Sequence, residues 1–335
     1  MLFLLGAGFN VDAARVARDL GLLEHEPTCY YPLVSDALKI CFERGKIPAG
    51  KTIEALFEEE IAAGSDEPMR KLSDCLMKAD YYIARPLARS EKTNCYRDFF
   101  ESFQECQFLT FNYDSLAETF LIQMNRWFPH DGFGVNAGVQ RTWNFEGPQG
   151  TAISISKVLH LHGSLCVYAS EFEPRSGWLV QRERPLFTFD PDSISGNFRG
   201  YEHVAGFGYQ PVHRRVVAPV PSKASGLNEV FVKEVYAKAK GMVGSSGNLV
   251  AIGYSFNEHD RESWVPILSA LAASPNPRLI LVDPAAESVA ERLRYAFPRI
   301  KIESVTQTLK VWIDGSFRGM AGLAPEALAK NQVNS

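Results

Sequence analysis

Phe108-Leu-Thr-Phe-Asn-Tyr-Asp114 is an apolar, aromatic-rich run that ends by delivering an amide, a phenol and a carboxylate in consecutive positions. Val158-Leu-His-Leu-His-Gly-Ser164 has the same build and delivers an imidazole, His162. Short runs rich in β-branched and aromatic residues and closed by polar ones read as strands buried on both faces, as in parallel sheets. Open α/β sheets place their ligands at the carboxyl edge, where these polar residues would stand. Either run taken alone also fits an ordinary strand with a polar end.

Working outward, Leu2 to Leu5 is a first strand followed at once by Gly6-Ala7-Gly8 and a helical stretch from Asn10, with Asn10 or Asp12 as its cap. Glycines in such a turn let backbone N–H groups approach a phosphate, although any tight strand-to-helix turn uses them too. Residues 22–106 are helical in pattern, with Ile53, Leu56, Phe57 and Ile61 on one face, and Met69, Leu72 and Leu76 on another. They read as a helical module inserted between the first two strands, with Gly64-Ser-Asp-Glu-Pro68 as an internal loop and Glu58-Glu-Glu60 as a solvated face. Ser115 to Trp127 continues as a helix, and Pro129 to Gly150 as loop or short hairpin.

Residues 165–222 read as a loop-rich cover in which Leu186-Phe-Thr-Phe189 forms a strand and Gly196 to Gly208 a mobile loop over a pocket. A helix over Leu227–Lys240, a strand over Asn248–Ile252 ending in Gly253-Tyr254-Ser255, and a strand Arg278-Leu-Ile-Leu-Val-Asp283 restore regular alternation. A helix with Val289, Leu293 and Ala296 inward follows, then a last strand near Lys310-Val-Trp-Ile313. Strands alternating with helices make a parallel sheet. The expected fold is a Rossmann-like, doubly wound α/β domain over residues 1–320 with a helical insert and no zinc module, followed by a tail, 321–335.

The 335 residues are 46% hydrophobic and carry a net charge of −4, which suits a globular protein and gives no electrostatic reason to expect direct nucleic-acid binding. No run approaches the roughly 18 apolar residues of a membrane span. Met1-Leu-Phe-Leu-Leu5 has no basic flank, so a cytoplasmic protein is expected. The six cysteines are scattered with no C-x-x-C, so no bound metal is expected.

Four strand ends therefore offer Gly6-Ala7-Gly8, Thr110-Phe-Asn112-Tyr-Asp114, His162-Gly163 and Gly253-Tyr254-Ser255. In that order and over nearly the whole chain this resembles the SIR2 (sirtuin-like) family, particularly the bacterial SIR2-like NAD-consuming proteins of anti-phage defence. Val217-Ala-Pro-Val-Pro-Ser-Lys223 resembles a segment of that bacterial subgroup. The resemblance implies that Gly6 to Gly8 holds the pyrophosphate of NAD, that Asn112 and Asp114 face its nicotinamide end, that His162 is the catalytic histidine and that Ser255 reaches a phosphate. Asp283 stands where a carboxylate binds adenosine ribose hydroxyls, and equally where it would cap the next helix. His160, between two leucines, reads as a core histidine, and His259 is an outside candidate. The sequence departs from the family at Asn10, where serine is usual, and in lacking the paired cysteines of the zinc module of protein-deacylating sirtuins.

That departure moves the expectation from deacylation to hydrolysis of NAD, used as substrate. Nicotinamide leaves as a neutral molecule from a cationic pyridinium, so no general acid is required. A fixed polar environment, a positioned water and a base suffice, and an imidazole, ordinarily titrating near 6.5, is such a base. The alternatives are an NAD-dependent deacylase or ADP-ribosyltransferase, and a non-catalytic NAD or ADP-ribose sensor. A dehydrogenase fits less well, because the motif order is wrong. An NAD-depleting enzyme needs restraint, so self-assembly or a separately encoded activating partner, such as an ATPase or a nucleic-acid-sensing protein, is expected.

Overall fold

The computed structural model describes residues 1–25, 28–42, 51–65, 67–129, 131–135, 138–141, 144–146, 153–170, 186–189, 201–204, 208–216 and 230–320. The strands are β1 (Leu2–Leu5), β2 (Gln107–Thr110), β3 (Gly138–Arg141), β4 (Asn144–Glu146), β5 (Val158–His160), β6 (Gly163–Ser170), β7 (Leu186–Phe189), β8 (Tyr201–Val204), β9 (Gly208–Val216), β10 (Asn248–Ile252), β11 (Arg278–Val282) and β12 (Lys301–Val305).

Six of them form one all-parallel sheet in the order β12-β11-β10-β1-β2-β5. The chain lays strands outward on one side of β1, then returns to start the other half at β10, which is the doubly wound arrangement. The order reverses between β1 and β10, and ligand crevices open at such a reversal. Because both faces are covered, the central strands are apolar at every position: all four residues of β1 are buried, as are the last four of β10 and of β11.

The Cys95–Ser102 helix shows how the insert is anchored. Asn94 caps it by accepting from Arg97 N at 3.0 Å. Its Phe99 lies edge-on to Phe3 of β1 at 5.2 Å between ring centroids, and Phe3 in turn stacks on Phe108 of β2 at 5.5 Å. Residues 34–102 hold helices and no strand among the described residues, as the insert reading requires. The Glu67–Ala79 helix passes into a π-helical turn, Asp80–Ala84, which the sequence does not announce.

A second, mixed sheet runs β4-β3-β7-β6-β9-β8. It contains the hairpin expected within 129–150 and the strand expected at 186–189. The described parts of 165–222 are strands rather than loop: Tyr201–Val204, placed within the expected cover, pairs antiparallel with Gly208–Val216. The remainder of that cover, residues 196–200 and 205–207, lies outside the described residues, as do the 217–223 segment, 227–229 of the expected helix, and the 321–335 tail. Among the described residues no helix is long and apolar enough to cross a membrane.

Several expectations need correction. The first helix begins at Ala7 behind Gly6; Asp12 stands at the N-cap position of the Ala13–Asp19 helix, although its side chain pairs with Arg15 at 2.7 Å and makes no capping hydrogen bond, and Asn10 turns inward. Glu67 and Pro68 belong to a helix rather than to the Gly64–Pro68 loop, because proline is tolerated in a first turn. Ala296 is exposed, and Ala286 and Ala290 join Val289 and Leu293 on the buried face. Lys310–Ile313 is not a strand but part of the Leu309–Met320 helix, where Leu309, Trp312 and Ile313 are buried at helical spacing. The last strand is β12.

Gly253, at φ +64°, follows β10, and a Cβ there would stand 2.2 Å from Phe9 N and 2.4 Å from Gly8 C. Gly253→Ala is expected to lower unfolding free energy by about 3 kcal/mol or more, as strain and overpacking combine. Gly241, inside the Val230–Ser246 helix with nothing within 4 Å of a Cβ, is the control. Gly241→Ala should gain about 0.5–1 kcal/mol in the same denaturant titration.

Candidate functional site

The residues singled out at the strand ends meet at one crevice. The turn after β1 is tied to the turn after β10 by Gly6 N donating to Ile252 O and Gly8 N donating to Gly253 O, both at 2.9 Å. After β2, Thr110 Oγ1 donates to Leu5 O at 3.0 Å and accepts from Asn112 N at 3.0 Å. The Asn112 side chain then donates from Nδ2 to Gly6 O at 3.1 Å, so the amide is held against the glycine turn. Asp114, buried beside it, accepts from Asn10 Nδ2 at 2.6 Å and from Leu116 N at 3.2 Å. This is why Asn10 caps nothing: its amide serves a buried carboxylate.

His162 follows β5, and Gly163, at φ +78°, makes the turn that lets the chain leave the first sheet for β6. The imidazole is buried, with the Phe111 ring 4.8 Å away and Ser263 Oγ 2.8 Å from Nε2. Phe111 stacks on Tyr254 at 4.6 Å, joining the β2 and β10 turns across the crevice. Ala7, Gly8, Asn10, Asn112, Asp114, His162, Gly253, Tyr254, Ser255 and Asp283 all line one cavity of about 480 Å³. Of the residues expected at the site, Gly6 and Gly163 act through the backbone of its walls rather than by lining it. Asp283 shows both of its readings at once: it lines the cavity, and Oδ1 accepts from Ala285 N at 2.7 Å where the next helix begins.

His160 and His162 part company on the chemistry of their partners. His160 Nδ1 stands 2.8 Å from Asn112 O, and Nε2 meets the carboxyl of Glu118, so both ring nitrogens are engaged by protein groups. Burial would lower its pKa, but the Glu118 charge and hydrogen bond outweigh that and raise it. With both nitrogens engaged in the core, this ring supports the Asn112 backbone and Glu118 and does not line the cavity. His162 instead faces a hydroxyl, which can either donate or accept. His259 is exposed on a short turn and lines nothing, although its neighbour Asp260 does.

The sequence reading missed the opposite wall. Tyr31, Pro32, Leu33, Glu54, Phe57, Leu72 and Leu76, all from the insert, close the cavity. Tyr31 donates to Asp80 Oδ1 at 2.7 Å, while Ser115 N and Oγ both donate to Asp80 Oδ2 at 2.8 Å. Burial lifts the Asp80 carboxyl to about 7, with the Asp114 charge adding to it, and burial lifts Asp114 to about 6. Among the described residues the lining carries four carboxylates and no lysine or arginine, and no group of three His, Cys, Asp or Glu side chains is placed to hold a metal.

No family model matches the sequence, and no curated protein matches it. Among solved structures the chain is similar to a mutant Sir2 homologue in complex with ADP-ribose, at 14% identity over 98% of this chain and 92% of that one, TM-score 0.45. It is also similar to a complex of a Sir2 homologue with NAD, at 13% identity over 96% and 90%, TM-score 0.46.

The two raised carboxyls set the sign of a pH effect. A carboxyl whose folded pKa is raised contributes stability that is complete below its unfolded value, near 4, and is lost as pH rises through the folded value. Stability should therefore fall as pH passes through about 6 and about 7. Asp80→Asn is expected to shrink the drop in urea midpoint between pH 5 and pH 8, and an equal drop in variant and parent would refute the assignment.

Proposed function

We propose that this protein hydrolyses NAD to nicotinamide and ADP-ribose. The observation that carries the reading is convergence: Asn112 and Asp114 from the end of β2, and His162 from the end of β5, share one cavity with the Gly253–Ser255 turn and Asp283 at the reversal of strand order. A volume of about 480 Å³ is in the range of small-molecule sites, about 300–1,000 Å³. Asp283, after β11, stands at the strand edge where ribose hydroxyls are bound in doubly wound folds. The motif resemblance to SIR2-like NAD-consuming proteins supports the same orientation, with Asn112 and Asp114 at the nicotinamide end.

The residues suit this bond. When the glycosidic C–N bond breaks, its electron pair goes to the pyridinium nitrogen, and water adds to the ribose carbon while its proton passes to a base. Carboxylates at the nicotinamide end favour the cationic pyridinium ring and the oxocarbenium-like ribose that forms as the bond breaks. Asn112, its amide fixed on Gly6 O, presents an oriented carbonyl and amide edge to ribose or water. His162 has a partner that leaves it able to take the proton. The role of defence effector that depletes NAD is supported by the motif resemblance.

Chromatography of the products tests the assignment. The protein, alone or with an activating partner, is expected to release nicotinamide and ADP-ribose from NAD without any acylated peptide. Asn112→Ala and His162→Ala should each cost at least about a hundredfold in kcat with the fold retained. Full turnover by folded His162→Ala sinks the reading, and a strict need for an acylated peptide replaces it with deacylation. Restraint by self-assembly or a partner belongs to the same reading, and a dilute monomer working at full rate would remove it.

A further inference from the structure

Ser263 lies in the first turn of the Arg261–Ala272 helix, on the face that carries Trp264, Ile267, Leu268 and Leu271 into the core. It is fully buried, and its hydroxyl sits 2.8 Å from His162 Nε2. Its carbonyl accepts from the Tyr236 hydroxyl at 3.3 Å, which ties this turn to the Val230–Ser246 helix. Next to it, Trp264 Nε1 donates to Asn257 O at 2.8 Å, fixing the helix start to the loop after β10. The serine is thus anchored from two sides, while Phe111 limits the tilt of the imidazole on its other side at 4.8 Å.

We propose that Ser263 is the positioning residue of His162, holding the ring edge-on in the cavity and following it through its protonation cycle. The proposal rests on the reading of His162 as the base. For Nδ1 to take a proton from the cavity side, the neutral ring must carry its hydrogen on Nε2, and the hydroxyl then accepts from Nε2–H both before and after the ring is charged. The same hydrogen bond serves both states, so the ring does not turn over between them. A carboxylate in this place would favour the charged ring, as the Glu118 charge does in raising His160. A methyl group would take this acceptor from the charged ring, which disfavours the charged form and lowers its pKa.

The test compares Ser263→Ala with Ser263→Thr, which keeps the hydroxyl, in the full-length protein. Nitrogen-15 NMR titration of the histidine rings reads the His162 pKa and tautomer with no substrate present. The expected result for Ser263→Ala is a His162 titration shifted to lower pH, a kcat about tenfold to a hundredfold lower, and KM for NAD within about twofold. The alkaline-rising limb of kcat/KM should move with the titration, and Ser263→Thr should restore most of both. An unchanged His162 titration in Ser263→Ala overturns the proposal. If Ser263→Ala does not fold, a Ser263→Thr titration unlike that of the parent overturns it, and a matching one upholds it. Absence of NAD cleavage by the parent would instead defeat the functional reading, leaving the His162–Ser263 coupling to be decided by the titration.

Discussion

The turns after β1 and β10 pass so close that neither tolerates a Cβ where the other crosses it. A Cβ on Gly6 would lie 2.4 Å from Gly253 O, and one on Gly253 only 2.2 Å from Phe9 N. The contact is reciprocal, because the same turns exchange the Gly6 N to Ile252 O and Gly8 N to Gly253 O hydrogen bonds. It joins the two halves of the sheet at the point where strand order reverses, so the crevice exists because these backbones meet. The glycines are therefore explained by packing before any ligand is invoked. With the Gly6 and Gly8 amides occupied, this turn presents Ala7, Gly8, Asn10 and Val11 to the cavity. That is a narrower set than a phosphate-cradling glycine turn suggests.

Beneath the crevice lies a layer of buried polar groups, expensive to desolvate and justified by what they hold. Asp80 takes the N–H and hydroxyl of Ser115, Asp114 takes the N–H of Leu116, and Thr110 takes the N–H of Asn112. From the other side, His160 donates to the carbonyl of Asn112 and is itself held by Glu118. Backbone groups of the Asn112–Leu116 stretch are thus fixed by the side chains of Asp80, Thr110 and His160 from elsewhere in the chain and by Asp114 within it. An amide on a loop is only as precisely placed as its supports.

How much of this is legible in the sequence depends on range. β1, β2, β5, β10 and β11 stand out because each is a short apolar run buried on both faces, and their ends deliver Asn112, His162 and Asp283 by simple position. β12 is an edge strand in which Ile302 is buried while Lys301 is exposed and Glu303, Ser304 and Val305 are half-buried, so no apolar run marks it. The Val-Trp-Ile run beyond it imitates a strand until Leu309, Trp312 and Ile313 are seen to share a helix face. The supporting groups leave no local trace at all. Ser263 is 101 positions from His162, Asp80 is 35 from Ser115, and Tyr31 is 49 from Asp80. Only the fold brings such pairs together.

Asp80 gives the helical insert a part in the site that its position in sequence does not suggest. One oxygen accepts from Tyr31, which walls the cavity, and the other holds Ser115, next to Asp114. The wall and the Asn112–Ser115 segment therefore share a single carboxylate. Any displacement of Tyr31 removes a hydrogen-bond donor from Asp80 and makes its buried charge harder to sustain. Because burial already holds this carboxyl up to about 7, the link is sensitive to proton uptake close to neutral pH. Its place on a π-helical turn is consistent with that role, since such turns recur where a side chain must be aimed off the regular helical track. The insert is thus coupled to the Asn112–Asp114 segment through one side chain, and the geometry of the cavity wall and of that segment cannot be varied independently.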